Sequence, residues 1–288
     1  MTDAAPAVSE PPSRTPRADR TTTPAWVLTG AGVALQVTYP LLDDPALRVV
    51  TVASVVCFAA AAVAHAAATR GAGWAAGLVG IAMGTGLVVE AVGVATGYPF
   101  GSYGYESSLG WQLWGVPLLV PLAWLMLAYP CLLAGRRLAG GRTWASWAVA
   151  AWTLAAWDLF LDPQMVAAGH WSWAHPEPGL PGIPDVPLTN YAGWLVTATV
   201  MMLLLDRLPR TPGDGRLPVD GAPATTLLWT YGSQVLANLA FFGSPAVALW
   251  GGLAMGLTVV PYALALRHDR PGAARDPVQA RAATGRAG

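Results

Sequence analysis

A chain of 288 residues would ordinarily suggest about two soluble domains, yet hydrophobic residues make up 54% of it and charged residues only 11%. That charge content is less than half of the roughly 25% typical of soluble domains. All 16 basic residues are arginine, 16 acids balance them, and 14 tryptophans stand against 5 phenylalanines. Such a composition excludes nucleic-acid binding, a solvated enzyme surface and disorder as the chain's main character. It implies an all-α, polytopic integral membrane protein whose partner is the lipid bilayer.

Residues 1–24 are rich in Pro, Ser, Thr and Arg and read as a disordered N-terminal tail. They lack the short apolar core and small-residue cleavage site of a signal peptide. Eight apolar stretches follow, near 25–42, 48–68, 73–96, 111–134, 144–161, 190–206, 224–242 and 245–266. Several approach the length of about 20 residues that a helix needs to cross the hydrocarbon. Residues 25–266 therefore form one transmembrane helical domain, and 267–288 a disordered C-terminal tail. Cys57 and Cys131 fall inside apolar runs and read as small buried hydrophobes, not as a disulfide or zinc site.

Arginines set the orientation. With eight spans and both termini inside, 15 arginines lie on the cytoplasmic side and only Arg48 on the other, as the positive-inside rule requires. An odd number of spans scatters them. The expected location is the cell membrane, with multiple passes. The outer loops 97–110 and 162–189 contain no arginine and are rich in Gly, Pro, Tyr and Trp. Long loops of this kind are commonly functional. Acids outside the spans read as solvated loop groups.

Few ionisable groups fall within the spans. Glu90 lies toward the end of span three, Asp158 near the end of span five, and Asp162 one turn further on. With Gln234, Asn238, Asn190 and Tyr191 they form one polar layer in the outer third of the membrane. A mid-helix carboxyl costs about 2.5–3.5 kcal/mol on insertion scales, so three at one depth point to chemistry. Asp158 and Asp162 share a helix face. Two carboxyls so close do not both ionise easily, which suits a protonated acid beside a carboxylate. The same spacing also suits Mg²⁺ chelation in prenyl transfer. Against that, no second Asp-rich motif appears and no Arg cluster lies near this layer to hold a diphosphate. A metal site is not expected. His170 could assist proton transfer. Tryptophans including Trp157 and Trp171 serve as an interfacial belt or line a groove for a long apolar ligand, where an aromatic face steadies a carbocation.

The strings EAVGVATGYPFGSYGY (90–105), LGWQLWGVPLLVPLAWLMLAYP (109–130), WDLFLDPQMVAAGHWSW (157–173) and GIPDVPLTNYAGW (182–194) together resemble the CruF-type membrane hydratases of carotenoid biosynthesis. That group includes bisanhydrobacterioruberin hydratase and γ-carotene 1′-hydratase. The resemblance spans roughly residues 25–266. It implies addition of water across the terminal C1=C2 double bond of an acyclic carotenoid end, giving a tertiary alcohol. It implies no cofactor, and as partners the carotenoid, water and other carotenoid enzymes in a complex. From the chemistry of that reaction, Asp158 or Asp162 would be the acid and Glu90 the group that orients water or takes its proton. Asn190, Asn238 and Tyr191 would hold the water, Trp157 or Trp171 would face the cation, and Tyr103, Tyr105 and His170 complete the candidate site. A non-catalytic carotenoid-binding subunit, or a cyclase or prenyltransferase, uses the same groove.

Overall fold

The computed structural model describes residues 22–43 and 45–269; apart from their innermost residues, the two expected tails lie outside them. Eight long helices dominate: α1 (Thr23–Thr38), α2 (Ala46–Arg70), α3 (Ala72–Thr96), α4 (Leu119–Leu138), α5 (Thr143–Ala167), α6 (Leu188–Leu205), α7 (Gly221–Ala240) and α8 (Pro245–Arg267). Five of them, α2, α3, α4, α6 and α8, are long and apolar enough to cross a membrane. The others complete the same bundle, α5 packing against α4, α6 and α8, and α1 against α2 and α7.

α4 is the axis. Every residue from Trp124 to Arg136 is buried, as befits a helix apolar on all sides at the centre of a bundle. Small residues allow its closest crossing. A Cβ added at Gly135 would lie 2.3 Å from the Ser146 carbonyl oxygen and 2.9 Å from Ala150 Cβ of α5.

Connections gather alternately at the two ends. At one end, β1 (Tyr103–Tyr105) from the α3–α4 loop pairs antiparallel with β4 (Trp171–Trp173) from the α5–α6 loop. Trp250 Nε1, near the start of α8, donates to the Pro181 carbonyl at 3.1 Å, and Tyr39 after α1 meets the edge of Phe242 after α7. Two further ribbons lie there, β2 (Gln112–Leu113) with β3 (Val116–Pro117), and β5 (Gly179–Leu180) with β6 (Ile183–Pro187).

These short ribbons are confined to the loops of a mostly helical fold. The fourth apolar stretch was expected to begin its helix near 111, but 111–118 turn back as a hairpin. Trp114 (φ 54°) and Gly115 (φ 80°) adopt left-handed backbone there, which no helix continues through. α5 runs past the expected end at 161, through Pro163, to Ala167. Asp158 and Asp162 therefore both lie within a continuous helix.

At the opposite end, loop acids expected to be solvated are buried in ion pairs. Arg70 donates to Asp214 at 2.7 Å and to both oxygens of Asp220 at 2.9 Å. Arg136 reaches Asp206 and Asp214 at 3.2 and 2.9 Å. His65 joins in through the Tyr129 hydroxyl and the Val219 carbonyl, both at 2.8 Å. Burial pushes the Asp220 carboxyl up, and the Arg70 charge opposes that shift. Loop 206–220 is thus clamped to α2 and α4. Removing one member of such a network strands a buried charge, at a cost of about 3–5 kcal/mol. Arg70→Ala is expected to lower the thermal midpoint of the detergent-solubilised protein substantially, read by size-exclusion after heating; unchanged melting would show that the clamp contributes little.

Candidate active site

Glu90 sits on α3 with Gly86 one turn before it and Gly93 three residues after, all on one face. Both glycines make room for its partners. A Cβ at Gly86 would lie 2.8 Å from Trp124, and one at Gly93 would lie 2.8 Å from the Tyr103 hydroxyl. Through these gaps Tyr103 and Tyr105 donate to Glu90 Oε2 at 2.5 and 2.8 Å, and Trp124 Nε1 donates to Oε1 at 3.1 Å. Burial and the adjacent Glu90 push both phenols well above the ordinary tyrosine range. They remain donors throughout the physiological range. The β1–β4 pairing brings them there, with Tyr103 stacked on Trp173 and Tyr105 edge-on to Trp171.

The second acidic group comes from α5. Asn190, two residues into α6, donates its amide to Asp158 at 2.7 Å and also to Asp162. The two carboxyls thus share one amide donor. Asp158 Oδ1, the Tyr191 hydroxyl and Trp157 Nε1 are buried without a partner. Burial of polar groups without partners is costly in any apolar setting, and three such groups cluster on adjoining turns of α5 and α6.

Glu90 and Asp162 face one cavity of about 520 Å³, within the usual range for ligand pockets. Its polar end holds Glu90, Tyr103, Tyr105, Asp162 and Asn190. Trp124 and Trp194, stacked at 3.9 Å between centroids, line it together with Trp157, which meets Trp194 edge-on. Asp158 lies behind Asp162, outside the lining, and so does Tyr191. Asn238 does not join the site. Its amide donates to the Gln234 carbonyl and its own carbonyl accepts from Ser244, so it closes the α7–α8 turn. His170 also lies away from the lining, bonded through Nδ1 to Ser108 at 2.8 Å. Trp124 and Trp194 were not singled out as site residues from sequence, where little separates them from the other tryptophans. Gln164 and Gln234, paired at 3.3 Å, line the cavity further along. Among the described residues, no three His, Cys, Asp or Glu side chains converge in a way that could hold a metal ion.

A helical bundle enclosing an apolar, aromatic cavity with carboxyls at one end suits a membrane protein that handles a lipid-like molecule. Residues 49–260 match the family model described as carotenoid biosynthesis protein, and the chain belongs to that family. Among characterised relatives, bisanhydrobacterioruberin hydratase of Haloarcula japonica is 34% identical over 169 residues, covering 55% of this chain and 56% of that protein. The chain thus matches little more than half of that relative's length. No solved structure matches the chain.

Each tyrosine that bonds Glu90 should contribute about 1.5–3 kcal/mol if the carboxyl is charged. The two act on one oxygen, so their effects should not add. Tyr103→Phe and Tyr105→Phe are expected to destabilise singly, with a coupling in the double variant. Thermal unfolding of the four proteins in detergent measures it, and strictly additive losses would contradict a shared carboxyl.

Proposed function

We propose that this protein is a carotenoid hydratase of the cell membrane. It would cross the bilayer eight times with both termini on the arginine-rich, cytoplasmic side. It adds water across the terminal C1=C2 double bond of an acyclic carotenoid end to give a tertiary alcohol. The observation that carries this reading is one cavity that faces both Asp162, with Asp158 held to it through Asn190, and the separately held Glu90. The family match and the name of the Haloarcula relative support it.

Asp162, on the cavity wall, is the general acid. Asp158 stands behind it and shares one proton with it, while Asn190 fixes one oxygen of each. Transfer of that proton to C2 uses the π electrons to form a C–H bond and leaves positive charge on tertiary C1. Trp157, Trp171 and the Trp124–Trp194 stack surround this charge with aromatic faces. A water oxygen then bonds to C1, and the proton it releases passes to Glu90. Oε2 of Glu90 is occupied by two phenols, whereas Oε1 accepts only from Trp124, leaving a lone pair for the water. Glu90 then releases that proton to solvent and the aspartate pair takes one up, so the acids are restored and the sum is addition of one water, with no cofactor in the balance. Tyr191, with its hydroxyl unpartnered beside the pair, holds a second water that can reload Asp158. Asn238 and His170 support the surrounding turns.

Expression in cells that accumulate lycopene, or a C50 acyclic precursor, should yield a more polar pigment heavier by one water. Asp162→Asn and Asp158→Asn should each reduce hydration by about 10²–10⁴-fold in protein that still inserts, and Glu90→Gln should reduce it as well. No hydrated product from any acyclic carotenoid would end the assignment. A product of unchanged mass would indicate cyclisation, and full activity with all three acids neutralised would indicate a binding subunit.

A further inference from the structure

The cavity is not closed at both ends. From the buried polar end it runs past Leu228 and Trp229 to Val37, Leu236 and Phe241, which line it and are also exposed at the surface, Val37 by 55%, Leu236 by 60% and Phe241 by 56%. Its mouth therefore opens on the side of the bundle, between the C-terminal ends of α1 and α7. That periphery is apolar, with Leu239 also exposed, and in a bilayer it faces lipid. The opposite approach, through the loops, is sealed by the β1–β4 ribbon and its stacked Tyr103–Trp173 pair.

Both walls of the mouth are weakly held. The buried residues of α1 are Ala25, Thr29 and Gly32, so none lies beyond Gly32. Those of α7 end at Thr230 except for Asn238. Helix ends with few buried contacts open locally at low cost. Near the mouth, side-chain contacts join them at two places. Trp229 Nε1 donates to Gln36 Oε1 at 2.7 Å, and the rings of Tyr39 and Phe242 meet edge-on at 6.0 Å. Gln36, Trp229, Tyr39 and Phe242 all line the cavity.

We propose that the mouth between α1 and α7 is a lateral portal, through which the end of a long apolar chain passes directly from the bilayer to the acids. The Gln36–Trp229 hydrogen bond and the Tyr39–Phe242 contact are its latch. The ligand class is a linear polyene or similar isoprenoid whose remainder stays in lipid. The hydrogen bond is modest in strength and joins two uncharged side chains, so a ligand displaces it without leaving a buried charge. This inference rests on the reading of the cavity as a carotenoid site, but its test does not require turnover.

The test places cysteines at Tyr39→Cys and Phe242→Cys in a background with Cys57→Ala and Cys131→Ala. A short, reducible bis-thiosulfonate then bridges them in purified protein. Lycopene in mixed micelles is the probe, and pigment co-eluting with protein on size exclusion is the readout. Bridging before lycopene is added should lower uptake at least tenfold, and reduction should restore it. Bridging after loading should trap the pigment through a detergent wash that strips the reduced protein. A single-thiol reagent should do neither. Uptake by pre-bridged protein at the rate of the reduced protein would overturn the portal. If pigment is taken up and trapped but no variant or wild-type protein hydrates it, the portal stands and the hydratase assignment falls.

Discussion

A carboxyl in an apolar bundle must be hydrogen-bonded or it destabilises the fold, and this requirement organises the end of the molecule that carries the β1–β4 ribbon. Three carboxyls are buried near one another on α3 and α5. All acquire their partners from other elements, Glu90 from the β1 tyrosines and α4, and Asp158 and Asp162 from Asn190 in the first turn of α6. The loops that would otherwise be simple connections become a lid, because Tyr103 and Tyr105 must reach down to Glu90. The β1–β4 ribbon and the glycines at 86 and 93 follow from the same need.

The opposite end solves the same problem with complementary charge. Arg70, Arg136 and Arg210 pair with Asp206, Asp214 and Asp220 within the protein, leaving a charge-paired base. One end is therefore locked by ion pairs, while the other holds acids with no basic partner among the residues that bond them. In the proposed reaction, the second arrangement supplies the proton. A clamp at α2, α4 and the 206–220 loop and a looser gap between α1 and α7 are consistent with a site reached from the side.

Much of this was legible in the sequence. Carboxyls inside apolar runs are rare enough that Glu90, Asp158 and Asp162 stand out, and Asn190 joined them through its place at the start of a span. Helix positions were readable for the same reason, the apolar stretches being long. What stayed hidden was of two kinds. Strands of two to five residues, such as β2 and β5, are too short for any periodic signal, and the turn at Trp114 that makes the hairpin carries no special residue except Gly115. Partner choice was the other: nothing distinguishes Trp124, which bonds Glu90, from Trp111, which is exposed, until the helices are packed. Asp214 and Asp220 looked like solvated loop acids because their arginines are about 80 to 150 residues away in the chain. Asn238 shares an apparent depth with the acids, but its side-chain amide bonds back to the Gln234 carbonyl of its own helix.

The central claim is that solvent water is added to a protonated double bond at the Asp162 end of the cavity. It is tested most directly by turnover of an acyclic carotenoid in water enriched in heavy oxygen and deuterium, followed by mass spectrometry and NMR of the product. The expected product carries the solvent oxygen on the tertiary carbon and one solvent deuteron on the carbon beside it, both lost in Asp162→Asn. A hydroxyl oxygen drawn from dioxygen, or a product without that deuteron, would contradict the account.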